Sequence, residues 1–545
     1  MGRLSLNNTT CNVASSTRPT RLLFNVWDSE HKSGVPSNLQ LVGALHCYAP
    51  SDCLISQDQV LSEEMMSPEV THLSILKKKW KYRGEGNANL VIALPEDRVI
   101  LRLHKTRRDA PVSEDVELDE LRRVCREAYF CRAVMVRLLG AAYIQPPVVA
   151  RVPHEEIRKL DRLLIPQRPN YRHHKGISFG YVNIYPDYAL LPECLTQHTA
   201  SASEETQVCF NVEGASSLPS ADSNCREIDL VLGAKNNPTF CVEIKPKQGW
   251  IPNTQTHLTK CTFCLNQYLK LSNGAVSRIS QYCPLDLFSG DEKRMSKAMR
   301  ALLRTPQNNL KIFKEGILVY SDECDDLTGV LKDWLKPSPD SSLVDSFCRL
   351  VQQVLTSNLL GSDEFPPIKD EFYPIICPPH IHPTSDHGVK KLQPCDTSSQ
   401  VLPENCILDR ILRIQKLQTS DTNTVYHMLR QDKSCDDYMV NLRDPDTDCL
   451  CMDTVQRYLL ATTAKDCSIL IAFQRLGDDS SVPPQHVVVD RDSGARFVFN
   501  IGVSDLDPKP ISCVEKHYQR DADIRFVCSQ LNASSDPSTD TSVCR

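Results

Sequence analysis

Arg83-Gly84-Glu85-Gly86-Asn87-Ala88-Asn89-Leu90-Val91 runs through Ile92-Ala93-Leu94 into a charged turn, Pro95 to Arg98, and then into Val99-Ile100-Leu101-Arg102-Leu103. Apolar runs of this length, separated by Gly, Asn and Pro, predict strand, glycine-rich turn, strand, turn, strand. Glycines let a backbone turn sharply and approach a phosphate closely. A helical stretch follows, ELDELRRVCREAYFCRAVMVRLLG (117–140), with apolar residues at helical spacing. Strands are predicted through Ile228–Leu232, Phe240–Ile244, Ser468–Phe473 and Phe497–Ile501, and a helix through ILDRILRIQKLQ (407–418). After Lys270 the chain reads as mainly helical up to Pro306.

The chain has 545 residues, 62 Lys plus Arg and 68 Asp plus Glu, for a net charge of −6. That balance gives no reason to expect a protein that coats DNA, so a polyanion site must be a local cluster of cations. Hydrophobic residues are 41% and charged residues 24%, which predicts that most of the chain folds. No apolar run approaches the roughly 18 residues of a membrane span. The first residues lack the apolar core of a secretory signal, and Leu6 stands where myristoylation wants Ser or Thr. The 24 cysteines are therefore expected to be reduced thiols. Residues 1–70 read as a poorly ordered extension, 200–226 and 362–404 as polar insertions, and 531–545 as a disordered tail.

Four signals carry chemistry. The glycine-rich turn at 84–91 comes before a strand bearing Arg102, the order found in the nucleotide-clamping hairpin of kinases. Lys245-Pro246-Lys247 follows an apolar strand, and two lysines at i and i+2 point the same way from an extended chain. Lys465-Asp466-Cys467-Ser468 precedes one apolar strand and Asp505-Leu506-Asp507-Pro508-Lys509 follows another. Paired carboxylates at strand ends suit phosphoryl transfer, one orienting a hydroxyl and another holding a metal on the phosphates. Singly, each has a plainer reading as a structural hairpin, a solvated basic turn or ordinary turn chemistry. No Walker A sequence occurs, nor the HRD, DFG and APE of protein kinases.

RGEGNANLV, VILRLHK, QRPNYR, EIKPKQGW, QYLKL, CPLDLFSG, TPQNN, TAKDCSILIAF and DLDPKP together resemble the inositol-pentakisphosphate 2-kinases over roughly residues 80–525. The resemblance implies an α+β fold. It is a two-lobed, kinase-like body distantly related to protein kinases, with an enlarged mixed α/β C-terminal lobe. Residues 71–195 would be the N-terminal lobe and 196–530 the C-terminal one. It implies a monomer of cytoplasm and nucleus that binds no membrane or nucleic acid. The implied reaction is transfer of the ATP γ-phosphate to the 2-hydroxyl of inositol 1,3,4,5,6-pentakisphosphate, giving the hexakisphosphate. A catalytically weak scaffold or sensor of the same fold is the alternative.

The resemblance also assigns roles. Gly84, Glu85, Gly86, Asn87, Ala88, Asn89, Val91 and Arg102 would meet ATP, with Leu191-Pro192-Glu193 as the adenine hinge. Asp466 and Lys245 would be catalytic. Arg172, Lys247, Lys270, Asn308, Asn309, Lys311 and Lys509 would hold the inositol phosphates, and Asp505 and Asp507 would hold Mg²⁺. Five phosphates of roughly −1.5 to −2 each need such a set of cations.

Two departures qualify the match, and two further Cys and His groups have plain readings. Cys513 and His517 stand where the plant enzymes carry a substrate-touching Arg and Tyr, with Lys516 and Tyr518 alongside. The structural zinc of the plant enzymes has no clear counterpart among His427, Cys435, Cys449 and Cys451. Cys261 and Cys264, with His257, read as buried thiols rather than a metal site, and His380, His382 and His387 as exposed.

Overall fold

A computed structural model describes residues 70–533, except 109–113, 178, 197–236, 256, 257, 259, 325, 336–341, 371–400, 432–449 and 478–481. The described residues belong to one compact unit, Gln57–Arg545. The expected extension before residue 70, the strand at 228–232 and the insertion at 200–226 lie outside the described residues.

The fold is mixed α/β and holds two large sheets. The first has strands β1 (Thr71–His72), β2 (Lys81–Glu85), β3 (Asn89–Leu94), β4 (Val99–Arg107), β5 (Val148–Arg151), β6 (Lys175–Ile177) and β7 (Tyr181–Pro186). Their order is β1-β5-β7-β4-β3-β2, with β6 also paired to β4. In β4 the alternation sends Leu101, Leu103 and Lys105 into the interior and Ile100, Arg102 and His104 to the other face. The leucine face packs on Leu90, Ile92 and Val182 and on Ile157, Leu160 and Leu164 of the helix His154–Leu164. The other face looks toward the helix Glu114–Phe130, where His104 Nδ1 lies 3.1 Å from Glu120. That helix continues through a π turn at Cys131–Met135 into Val136–Leu139, so the predicted helical stretch is present but locally widened.

The second sheet contains β8 (Phe240–Ile244), β9 (Leu310–Lys314), β10 (Ile317–Tyr320), β13 (Ser468–Arg475), β14 (Val487–Val489) and β15 (Arg496–Ser504). The order is β10-β9-β8-β13-β15-β14, antiparallel throughout. Between them in sequence, β11 (Ile368–Asp370) and β12 (Leu450–Met452) make a separate parallel pair. Part of the expected insertion at 362–404 is therefore strand. Trp334 is the hub of the larger core, stacked on Phe240 at 5.5 Å and edge-on to Phe347 at 5.6 Å.

Other expectations change in detail. Helix Thr262–Ser272 stops at Asn273-Gly274, where Gly274 has φ +67. Before helix Glu292–Arg304 the chain then makes only one helical turn, Pro284–Leu287, so 270–306 is less helical than its sequence suggests. At the far end, helix Ser512–Ala533 carries ordered chain past residue 531.

Candidate active site

Sheet register builds the site. Ile469 pairs with Ile244 and Ser468 with Ser504, so the ends of β8, β13 and β15 lie side by side. Lys245 follows β8, Ser468 begins β13 and Asp505 follows β15, which brings three distant residues to one sheet edge. Lys245 Nζ donates to Asp505 Oδ2 at 2.5 Å and to Ser468 Oγ at 2.7 Å. Ser468 Oγ lies 3.0 Å from Glu243 Oε1 and 3.1 Å from Asp505 Oδ2. Burial opposes charge on Lys245, but Asp505 and Glu243 outweigh it and raise the amine's pKa. Burial likewise opposes the Asp505 carboxylate, yet Lys245 and Arg102 hold it down at about 2.

Beside this trio, Asp466 ends the helix Thr454–Asp466. Lys247 Nζ donates to its Oδ1 at 3.2 Å and Lys509 Nζ to its Oδ2 at 2.9 Å. Burial lifts the carboxyl, but the two ammoniums prevail and keep it below the ordinary carboxylate range. The backbone here is strained: Lys247 has φ +62 and Asp505 φ +61. Gln415, fully buried, holds the lysine turn in place. Its amide donates to Lys247 O at 2.8 Å and Ala464 O at 3.2 Å, and its carbonyl accepts from Gly249 N at 2.8 Å.

A cavity of about 320 Å³ adjoins these groups. Val91, Ile100, Arg102 and Tyr185 of the first sheet form one wall. Glu243, Lys245, Lys311, Leu470 and Val503 to Asp507 form the other, and Asp187, Tyr188 and Ala189 close it. Arg102 reaches across to Asp507 with two bonds of 2.7 and 2.6 Å. Arg83 pairs with Asp187.

The expected ATP residues divide. Gly84, Glu85, Gly86, Val91 and Arg102 line the cavity. The Glu85 carboxylate is 1% exposed and is bonded to Lys105 and, at 2.8 and 3.0 Å, to Arg168. Its neighbour Gly86 offers its carbonyl to Lys105 at 2.6 Å and to Arg172 at 2.5 Å. Asn87, Ala88 and Asn89 shape the hairpin: the Asn87 carbonyl accepts from Lys175, Ala88 O from Lys105 N, and Asn89 O from Gly86 N. Glu193 is exposed at the start of the short helix Glu193–Thr196, off the cavity wall. Strand β7 ends at Pro186, and the chain passes the cavity at Asp187–Ala189, four residues before the expected hinge Leu191–Glu193.

Among the expected phosphate ligands, Lys270 is pushed below its ordinary pKa by burial and by the nearby charge of Lys247. Lys311 pairs with Glu243 at 3.7 Å, its neighbour across β8 and β9. Asn308 is exposed. Asn309 is 1% exposed and gives its carbonyl to Lys245 N at 2.9 Å. Both amide atoms of its side chain are buried without a hydrogen-bond partner among the described residues.

A profile of the inositol-pentakisphosphate 2-kinase family matches residues 82–523. The chain belongs to that family. It is 28% identical to the inositol-pentakisphosphate 2-kinase of Danio rerio over 497 residues, covering 82% of this chain and 92% of that protein. It is 25% identical to the enzyme of that name from Arabidopsis thaliana, again covering 82% and 92%. The Drosophila melanogaster protein of the same name is 29% identical, over 45% of this chain and 49% of its own length.

Within this 2-kinase family chain, the positions that depart from the plant pattern carry no charge. Burial pushes the Cys513 thiol up to about 11. Burial and the adjacent Arg520 push His517 down to about 3, and its Nδ1 lies 3.0 Å from Tyr458 Oη. Tyr518 stacks on Tyr426 at 4.2 Å, and Lys516 is exposed. Sequence reading missed Glu127, partly buried at the cavity wall beside Asn183 (3.0 Å) and Arg123. Burial and Asp507 push its pKa up.

Cys261 and Cys283 are buried thiols, and Cys264 is half-buried. Cys261, Cys264 and Cys283 bring three thiol sulfurs within 4.8 Å of one another, a donor set that suits zinc and adds a third thiol to the CxxC pair. His257, Cys435, Cys449 and the histidines at 380–387 lie outside the described residues. His427 stands on helix Thr422–Gln431 and Cys451 on β12. Among the described residues no helix is long and apolar enough to cross a membrane.

Proposed function

We propose that this chain transfers the γ-phosphoryl group of ATP to the 2-hydroxyl of inositol 1,3,4,5,6-pentakisphosphate. The observation that carries this is the joint presence of two neighbouring clusters at one sheet edge, Lys245–Ser468–Asp505 and Lys247–Asp466–Lys509. The family membership fits the same reaction. In this reading the two sheets are the cores of a two-lobed, kinase-like body, and the cavity between them receives ATP.

Asp466, kept ionised by its lysines, accepts the proton of the 2-hydroxyl. Lys245 stabilises the transferring group electrostatically, and Lys247, Lys509, Lys270, Lys311 and Arg172 receive the remaining phosphates. The orphaned amide of Asn309, beside Lys245, is a donor and acceptor pair that an arriving phosphate and water would satisfy. The charges are paired with one another, Arg102 with Asp507 and Lys245 with Asp505. Substrate phosphates would take over the cations and release the acids.

Asp505 and Asp507, two hard oxygen donors one residue apart, suit Mg²⁺. They would hold it, and the ion would neutralise charge on the phosphate oxygens when bound. The test is turnover of the pentakisphosphate with Mg-ATP, the product resolved by anion exchange. Tight binding of the pentakisphosphate without product would overturn the reading and leave a binding protein.

A further inference from the structure

A second cavity, of about 560 Å³, shares no lining residue with the first. It runs along the helix Glu292–Arg304 against the helix Leu343–Leu355. Lys293, Lys297, Arg300 and Arg304 follow one another at steps of four, three and four residues, which is one face of a helix. All four line the cavity, with Arg349 opposite. Glu292 and Asp345 are the carboxylates of the lining, so five cations meet two acids in a chain whose net charge is −6.

The cations form two tiers. Arg300 is held by Asp345, and Arg349 by Asp492 and by Ser346 Oγ at 3.2 Å. Acids thus fix the planar donors of the floor, while Arg349 Nε is buried without a hydrogen-bond partner among the described residues. Lys293, Lys297 and Arg304 are exposed at the rim, with the Ser296 hydroxyl between them. Lys297 pairs with Asp286 at 3.3 Å, which Arg294 already holds at 2.9 Å.

We propose that this groove is a second polyanion site, taking a compact ligand that carries several phosphates. Fixed guanidiniums offer bidentate donors to phosphate oxygens and the mobile lysines add charge. Lys293 and Arg304 stand roughly 16 Å apart along the helix, so the row of cations can meet several phosphate groups at once. Asp286, Asp490 and Asp492 flank the cations and would repel a long polyanion continuing past the groove. The inference is independent of the proposed reaction.

The test is calorimetric titration of inorganic tripolyphosphate, and separately of inositol hexakisphosphate, into the full-length protein. The expected result is two classes of site. In Lys293→Glu/Lys297→Glu/Arg304→Glu one class weakens at least about tenfold, while turnover of the pentakisphosphate is unchanged. In Lys247→Ala/Lys509→Ala the other class weakens. Preference for tripolyphosphate or for the hexakisphosphate identifies the source of the phosphates. Binding by the triple variant with parental stoichiometry and affinity overturns the proposal. So does flotation on phosphoinositide vesicles that needs these residues while neither soluble polyphosphate binds, since the groove would then face a lipid surface. The substituted side chains are on the rim, and a parental melting curve shows that the variant is folded.

Discussion

Arg102 grips Asp507 through two parallel bonds, 2.7 and 2.6 Å, joining a strand of the first sheet to the turn that follows β15 in the second. Cation and anion were expected on ATP and on a metal, and each here is the other's partner. Arg102→Lys keeps the charge but loses the fork. The expected outcome is a higher KM for ATP with a smaller fall in kcat, measured in initial-rate assays with ATP varied.

Asp466 has a half-exposed side chain, so its removal costs the fold little. Asp466→Asn is expected to lower kcat by about 10²- to 10⁴-fold, the range for a general base. Melting temperature should stay near the parental value. A variant that turns over normally would remove Asp466 from the mechanism.

The pH profile follows from the same pair of lysines. A carboxyl held low stays ionised above its folded pKa, so the base form is lost only as pH falls below the ordinary range near ~4. Lys509→Met removes one of the charges that hold it low. The acid limb of kcat/KM should therefore move to higher pH in that variant.

Glu85 is a stability residue. Its carboxyl, lifted by burial but held at about 2 by Arg168 and Lys105, stabilises the fold above its unfolded pKa near ~4.3. That contribution fades as pH falls toward 2. Glu85→Gln leaves two cations buried without their partner and is expected to cost ~3–5 kcal/mol at neutral pH. Denaturant titrations across pH should show the parent's advantage shrinking on the acid side.

Gln415→Leu removes the buried amide that ties Lys247 O, Gly249 N and Ala464 O together. Each orphaned group costs ~1–3 kcal/mol. The expected outcome is a lower melting temperature and a raised KM for the inositol substrate, with KM for ATP unchanged. Parental kinetics in a merely destabilised variant would make Gln415 a packing residue only.

The sequence shows most plainly what is local. Phe240–Ile244 and the glycine-rich hairpin were readable because burial and turn chemistry are written in adjacent residues. The lysines and aspartates of the site were readable by type, but not their pairing. Lys245 meets Asp505 across 260 residues only because β8, β13 and β15 fall into register. Glu85 was assigned to the ATP hairpin by resemblance, and it does border the cavity. Its carboxylate is claimed by Arg168, 83 residues on, which no local pattern announces. That Asp187–Ala189 would border the cavity was not readable either, because the end of β7 is set by pairing with β4 and β5.

Lys247 and Asp505 keep left-handed backbones without being glycine. Such conformations cost about 1–3 kcal/mol each, and Gly at either position would recover part of that. A library of this chain screened for heat resistance alone should therefore drift toward Gly at 247 and Gly or Asn at 505. Thermostability and turnover would be selected in opposite directions at these two codons, and only a screen that also demands product would retain both side chains.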